Sequence, residues 1–268
     1  MKLKRLSNLL LCIVLGASLV GCSTSSKGKD ENKTIVVGAT QVPGGDLLEY
    51  LKPEVEKEGY KLEVKIFNDY ITPNTALAEG DIDANLFQHK PFLNETIEKT
   101  GYDLTDVVGL YESPLIVYSY KIKSLDELKA GDKLAISNDP TNGSLALIYL
   151  QDEGIVKLKD VELPGVNDIL ENPKNLEFVE TEAAQLPSLL PDVSAAFING
   201  NFAIAAGLDA NKNGIYTPNI DGTYVNVVAC RTEDKNNEKI KALKKVLTTD
   251  KSRDFLDENF KGAIIPSF

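Results

Sequence analysis

Groups that usually carry chemistry are scarce in this chain. Its 268 residues include one histidine, His89, one methionine, the initiator, no tryptophan and three cysteines. A catalytic triad would have only that one imidazole to use. No nucleophile elbow is present either, because Asn142-Gly143-Ser144-Leu145-Ala146 lacks a glycine two residues before the serine. A zinc site needs a set of nitrogen and sulfur ligands that one histidine and so few cysteines do not provide. No G-x-x-x-x-G-K-[ST] loop occurs, which removes the usual phosphate cradle. With 40 acidic residues, pairs of carboxylates are too common to indicate acid–base work. The expectation is a protein that is not an enzyme and uses no metal or cofactor.

Long apolar runs are also missing. Leu9 to Gly21 has 13 residues, about 20 Å as a helix at ~1.5 Å per residue, against a hydrocarbon core of ~30 Å. Behind Lys2, Lys4 and Arg5 it has the layout of an export signal, and Leu19-Val20-Gly21-Cys22 resembles a bacterial lipobox. Residues 1–21 are therefore expected to be removed, leaving Cys22 lipidated (palmitate or similar acyl chains) as the mature N-terminus. Cys12 goes with the leader, so Cys230 has no partner and no intramolecular disulfide is expected. Its setting, YVNVVACR, reads as a buried strand.

Positive charge is in deficit. Lys and Arg number 29 against 40 acidic residues, and loss of the leader takes the formal charge from −11 to −14. Such a surface is a poor ligand for nucleic acid. Residues 22–34 contain almost nothing that could be buried and read as a flexible tether.

What remains alternates strand-like and helix-like patterns. TIVVGA, LEVKIF, VVGLYESPLIVYS, KLAIS, LEFVE, SAAFI and TYVNVVAC are short strand-like runs; LLEYLKPEVEKEG, SLALIYLQDEG and AAQLPSLL have helical spacing. That is the pattern of parallel sheets covered by helices. Sites in such sheets lie beyond the carboxyl ends of strands. The loops FNDYITPN, NDPTNG and INGN occupy such positions and are rich in side chains that cap helices or bind polar groups. Asp209 to Gly214 opens like an EF-hand loop, but position twelve is Ile220 where a bidentate glutamate is required. It reads as an Asn/Gly-rich turn.

His89 lies in DIDANLFQHKPFL, on an expected loop after the short strand DANLF, with Phe87, Phe92, Asn85 and Gln88 nearby. Aromatic faces beside amides suit a small ligand that is partly apolar and partly polar. A satisfied core histidine is the other reading.

This segment resembles the signature of the NlpA group of lipoproteins, the methionine-binding components of bacterial ABC importers. FNDYITPNTAL, KIKSLDELK, NDPTNG, ENPKNLEF, EAAQLP, DVSAAFINGNFA, YVNVVACR and GAIIPSF resemble the family in the same order. The resemblance covers essentially the whole mature chain. It implies an α/β, two-lobed periplasmic-binding-protein fold, type II-like, with the ligand in the interlobe cleft. Lobe one would comprise 35–117 and 228–268 and lobe two 118–227, with crossings near Leu115–Ser119 and Tyr224–Ala229. It also implies that Tyr70, Phe87 and His89 surround a methionine side chain, and that Asn199 and Asn226, with Asn142 and Asn201 nearby, serve the polar end. The implied partners are an ABC permease and its ATPase, and the membrane through the lipid, on the extracytoplasmic face of a bacterial cell.

One position departs from the pattern. Three residues after NDPTN the family has an arginine that pairs with the ligand's carboxylate; here that position is Leu145. Methionine is therefore expected to bind more weakly here than to relatives with the arginine, and a related ligand whose carboxylate is blocked, replaced or absent is expected to lose less. The competing reading is a surface lipoprotein, an adhesin or partner-binding protein, whose cleft is vestigial or repurposed.

Overall fold

The computed structural model describes residues 33–219 and 221–268. The expected leader, Cys22 and Ile220 lie outside the described residues. Strands run in the order β1 (Thr34–Ala39), β2 (Lys61–Ile66), β3 (Ala84–His89), β4 (Leu104–Glu112), β5 (Leu115–Tyr118), β6 (Lys133–Ser137), β7 (Lys157–Leu158), β8 (Ile169–Glu171), β9 (Glu177–Thr181), β10 (Ala195–Asn199), β11 (Gly214–Tyr216), β12 (Val225–Arg231) and β13 (Ile265–Pro266). Helices are α1 (Asp46–Lys57), α2 (Thr72–Glu79), α3 (Lys90–Thr100), α4 (Pro140–Asp152), α5 (Leu186–Leu189), α6 (Gly200–Ala205), α7 (Ala210–Asn213), α8 (Glu238–Leu247) and α9 (Asp250–Phe260).

Two large sheets result, one in the order β13-β4-β12-β3-β1-β2 and one in the order β11-β5-β10-β6-β9, with β7 and β8 forming a small two-stranded sheet. Both large sheets are mixed rather than parallel. β1 pairs in parallel with β2 and β3, and β6 with β9 and β10, whereas β12 runs antiparallel to both β3 and β4 and β5 antiparallel to β10. The reason is the route of the chain. It leaves the first sheet through Ser113-Pro114 and comes back as β12, so these strands enter without a crossover helix to impose a parallel direction.

Strand pairing also moves the expected crossings. β5 belongs wholly to the second sheet and β12 wholly to the first. The chain changes sheets at 113–114, just before Leu115–Ser119, and in the connection between β11 and β12, which ends at Tyr224, the first residue of the expected second crossing. Pro114 accounts for the first shift: without an N–H it interrupts the ladder that the apolar run seems to continue.

Each large sheet has its own core. Ile35, Val37 and Ala39 of β1 are buried with Leu47, Leu48, Leu51 and Val55, the apolar stripe of α1, and with Ile240, Leu243 and Leu247 of α8. Fully burying a side chain of this size stabilises the fold by about 1.5–3 kcal/mol. Around the second sheet, Val117, Leu134, Ile136 and Phe197 pack on Leu147 and Leu150 of α4. Cys230 is buried and unpaired in the first core, as its strand setting implies, and burial pushes its thiol up to about 11. Among the described residues no helix is long and apolar enough to cross a membrane.

Candidate functional site

All three loops singled out in the sequence turn into helix N-termini: β2 leads to α2, β6 to α4 and β10 to α6. In the first, Asp69 accepts the N–H groups of Ile71 and Thr72 at 2.7 Å each, which fixes the turn that presents Tyr70. In the second, Asp139 caps α4 by accepting the N–H of Asn142 at 2.9 Å. A Cβ on Gly143 would lie 2.6 Å from the carbonyl oxygen of Ser137, so glycine lets α4 press against the end of β6. In the third, a Cβ on Gly200 would lie 2.7 Å from Oγ of Ser113, so the first crossing and α6 meet closely.

His89 is the last residue of β3 and the N-cap of α3, not part of a loop after the strand. A bulge prepares its placement. Opposite β12, Gln88 pairs with Val227 and Leu86 with Val228, leaving Phe87 as the extra residue. The alternation of β3 slips by one there, and Gln88 bonds to Asn85, three residues away, which a regular strand would turn to the opposite face.

A chain of hydrogen bonds sets the polarity of the site. Asp139, when ionised, can only accept. The amide nitrogen of Asn142 donates to both of its oxygens at 3.0 Å, so Oδ1 of Asn142 must face the other way. That oxygen accepts Nδ2 of Asn199 at 2.8 Å and Nε2 of His89 at 3.3 Å. On the other side of the ring, Nδ1 of His89 accepts the N–H of Phe92 at 3.1 Å. The imidazole is thus the neutral tautomer with its proton on Nε2, consistent with burial lowering its pKa. Oδ1 of Asn199 is left buried with no partner.

Tyr70 extends the pattern. Its hydroxyl donates to Oδ1 of Asn201 at 2.6 Å, and burial, with the charge of Asp139 nearby, holds the phenol far above its ordinary pKa. Nδ2 of Asn201 is consequently a buried donor with no acceptor. With the buried hydroxyl of Ser113, which has no partner either, the site offers a free acceptor, a free donor and a group that can serve as both.

Aromatic rings close the apolar side. Tyr70 lies 4.9 Å from Phe202, 5.8 Å from Phe92 and 5.9 Å from Phe87 between ring centroids, and His89 meets Tyr224 edge-on at 5.2 Å.

Two connected chambers lie between the sheets. The inner one is walled by Tyr70, Phe87, His89, Asn142, Asn199, Asn201 and Asn226, bringing together seven of the residues singled out in the sequence. Its volume open to water is only about 10 Å³, so a larger guest must push its walls apart. Leu145 is not in that wall. It lines the outer chamber of about 390 Å³, which shares His89, Asn142 and Asn199 with the inner one. Gln88, Phe92 and Ser113 also line the inner chamber and were not picked out as site residues. Phe92 had a signal, three residues from the histidine on the same turn; Ser113 joins only through the crossing.

The calcium-like segment folds into the short α7, with Asp209 accepting the N–H of Asn211 at 2.9 Å. Among the described residues no cluster of His, Cys, Asp and Glu is placed to hold a metal ion.

The NlpA lipoprotein family model matches residues 35–268. The D-methionine-binding lipoprotein MetQ of Escherichia coli O157:H7 is 41% identical over 255 residues, 92% of each chain. A nutrient binding protein from Burkholderia cenocepacia, solved bound to methionine, is 41% identical and superposes with a TM-score of 0.85 over 87% of this chain and 100% of its own. An ABC transporter periplasmic substrate-binding protein from Coxiella burnetii is 37% identical, with a TM-score of 0.82 over 87% of this chain and 100% of its own. The two sheet units are thus the lobes of a periplasmic-binding-protein fold, and the chain belongs to the NlpA lipoprotein family.

Proposed function

We propose that the protein is a lipid-anchored, extracytoplasmic substrate-binding component of an ABC importer, which captures methionine or a related small amino-acid-like ligand in the inner chamber and hands it to a permease driven by its ATPase. The observation that carries this reading is the pairing of an aromatic box with three unpartnered polar atoms, the Asn199 oxygen, the Asn201 nitrogen and the Ser113 hydroxyl. A thioether chain suits the rings of Tyr70, Phe87 and Phe92, since sulfur is favourable near aromatic edges. An ammonium group would donate to Oδ1 of Asn199, and an acceptor on the ligand would take Nδ2 of Asn201, with Asn226 beside them. No chemical step on the ligand is required. Closing of the lobes would report occupancy to the permease through their greater affinity, when closed, for both ligand and transporter.

Native mass spectrometry of the membrane-extracted protein tests both halves of the proposal. The expected spectrum shows loss of residues 1–21, acyl mass on Cys22 and a co-purified small ligand that L-methionine displaces. A mature chain with unmodified Cys22 would end the anchoring claim. Failure of added methionine to bind would end the claim about cargo and leave the adhesin reading in its place.

A further inference from the structure

The outer chamber differs in charge from the inner one. Glu112, Asp152 and Asp221 line it, and none of its lining residues is Lys or Arg. Glu112 is 6% exposed, receives one backbone N–H from Gly222, and makes no ion pair with any described residue. Burial first, and then the charge of Asp221, raise its pKa. A carboxylate buried without a cation is costly, and a chamber that keeps one has a use for a positive charge. Tyr149, Tyr216 and Tyr224 supply ring faces of the kind that attract ammonium groups within about 6 Å.

An independent observation comes from the wall between the chambers. Asn199 is 5% exposed and lines both, and its Oδ1 is the acceptor left without a partner once Asp139 has fixed the orientation of the Asn142 amide. The lining of the outer chamber thus carries three carboxylates, one of them buried, beside the free oxygen of Asn199 and the hydroxyl of Ser113, and no cation. A ligand carboxylate directed outward would meet like charge; a ligand rich in N–H groups would not.

We propose that the outer chamber is a second subsite that takes an ammonium group, so that the preferred ligand is an amino-acid derivative extended beyond its carbonyl by a cationic arm. The proposal rests on the reading of the inner chamber as an amino-acid site. Bound in this way, the ligand keeps its α-ammonium on Oδ1 of Asn199, replaces its carboxylate with an amide, and places the terminal ammonium between Glu112 and the tyrosine faces. Charge-assisted hydrogen bonds of this kind are shorter and stronger than neutral ones.

Titration calorimetry on the purified protein with three probes tests this: L-methionine, L-methioninamide and N-(2-aminoethyl)-L-methioninamide. The aminoethyl amide is expected to bind about tenfold or more tightly than methioninamide. Glu112→Gln, which keeps the shape of the side chain, should abolish that ratio, and Asp221→Asn should reduce it, with melting curves confirming that both variants fold. Equal binding of the two amides, or a preference that survives both substitutions, overturns the proposal. If methionine binds while the cationic arm adds nothing, the second subsite alone is lost. If none of the three binds, the inner-chamber reading falls with it.

Discussion

Two groups of buried amides lie near the bulge of β3, and they end differently. In the first, Asn74, Asn85 and Gln88 satisfy one another. Asn74 Nδ2 donates to Gln88 at 2.7 Å, Gln88 Nε2 to Asn74 and Asn85 at 2.8 and 3.1 Å, and Asn85 Nδ2 to Asn74 at 2.9 Å, so every amide nitrogen and oxygen is used. In the second, Asn142, Asn199 and Asn201 are anchored by Asp139 and Tyr70, and one oxygen and one nitrogen are left over. Residue type and burial are the same in both. The difference is completeness: a closed network specifies the core, whereas an open one has unspent hydrogen bonds for a guest.

The largest effect that could break this contrast comes from paired substitutions. Asn142→Leu strips Asp139, Asn199 and His89 of a shared partner and is expected to weaken methionine binding about 100-fold. Asn74→Leu should cost about 1–3 kcal/mol of stability by orphaning Gln88 and Asn85, a fall of roughly 2–4 °C in Tm per kcal/mol, with binding unchanged. Calorimetry and thermal melting on both variants make the comparison. Equal losses of affinity would erase the distinction between the two networks.

Leu145→Arg sharpens it from the other side by adding a donor next to the open network. Affinity for methionine relative to methioninamide should rise about tenfold, because only methionine carries the carboxylate that a guanidinium pairs with. Titration with both ligands measures the ratio, and a ratio that stays the same or falls would show that the carboxylate is held elsewhere.

The smallest effect is on pH dependence. Burial lowers the pKa of His89. As pH falls through about 6.5 the unfolded imidazole takes up its proton before the folded one does. The contribution of His89 to stability is therefore complete above that pH and lost as pH drops toward the folded pKa. Between about pH 7.5 and pH 5 the unaltered protein should lose more stability than His89→Gln, measured by denaturant melts. Parallel pH profiles would mean that the ring can accept a proton inside the site, contrary to the bond from Phe92.

Much of the architecture was legible because it is local. The runs that became β1, β6 and β10 and the stripe of α1 announce themselves by periodicity, and the loop after β6 carries Asp139, the residue that caps α4. Strand direction was not legible, since alternation of strand and helix gives no direction for β5 and β12. The run from Val107 to Ser119 reads as one strand yet divides between two sheets at Ser113-Pro114; Pro114 was the one local clue. At the site, residue types were readable and their division into closed and open networks was not. Gln88 and Asn85 join the closed group only because a bulge at Phe87 breaks the alternation of β3.

The bonds from Tyr70 to Asn201 and from His89 to Asn142 each join a residue of the first lobe to one of the second. Together they form a latch across the cleft, and separating the lobes to admit a ligand breaks both. Capture then has a speed limit set by how often the latch springs open: uptake rates should level off at high cargo concentration, while there is still cargo to spare. A binding protein built in this way trades quickness for retention, because the same two bonds, re-formed over a bound ligand, must break again before it can leave.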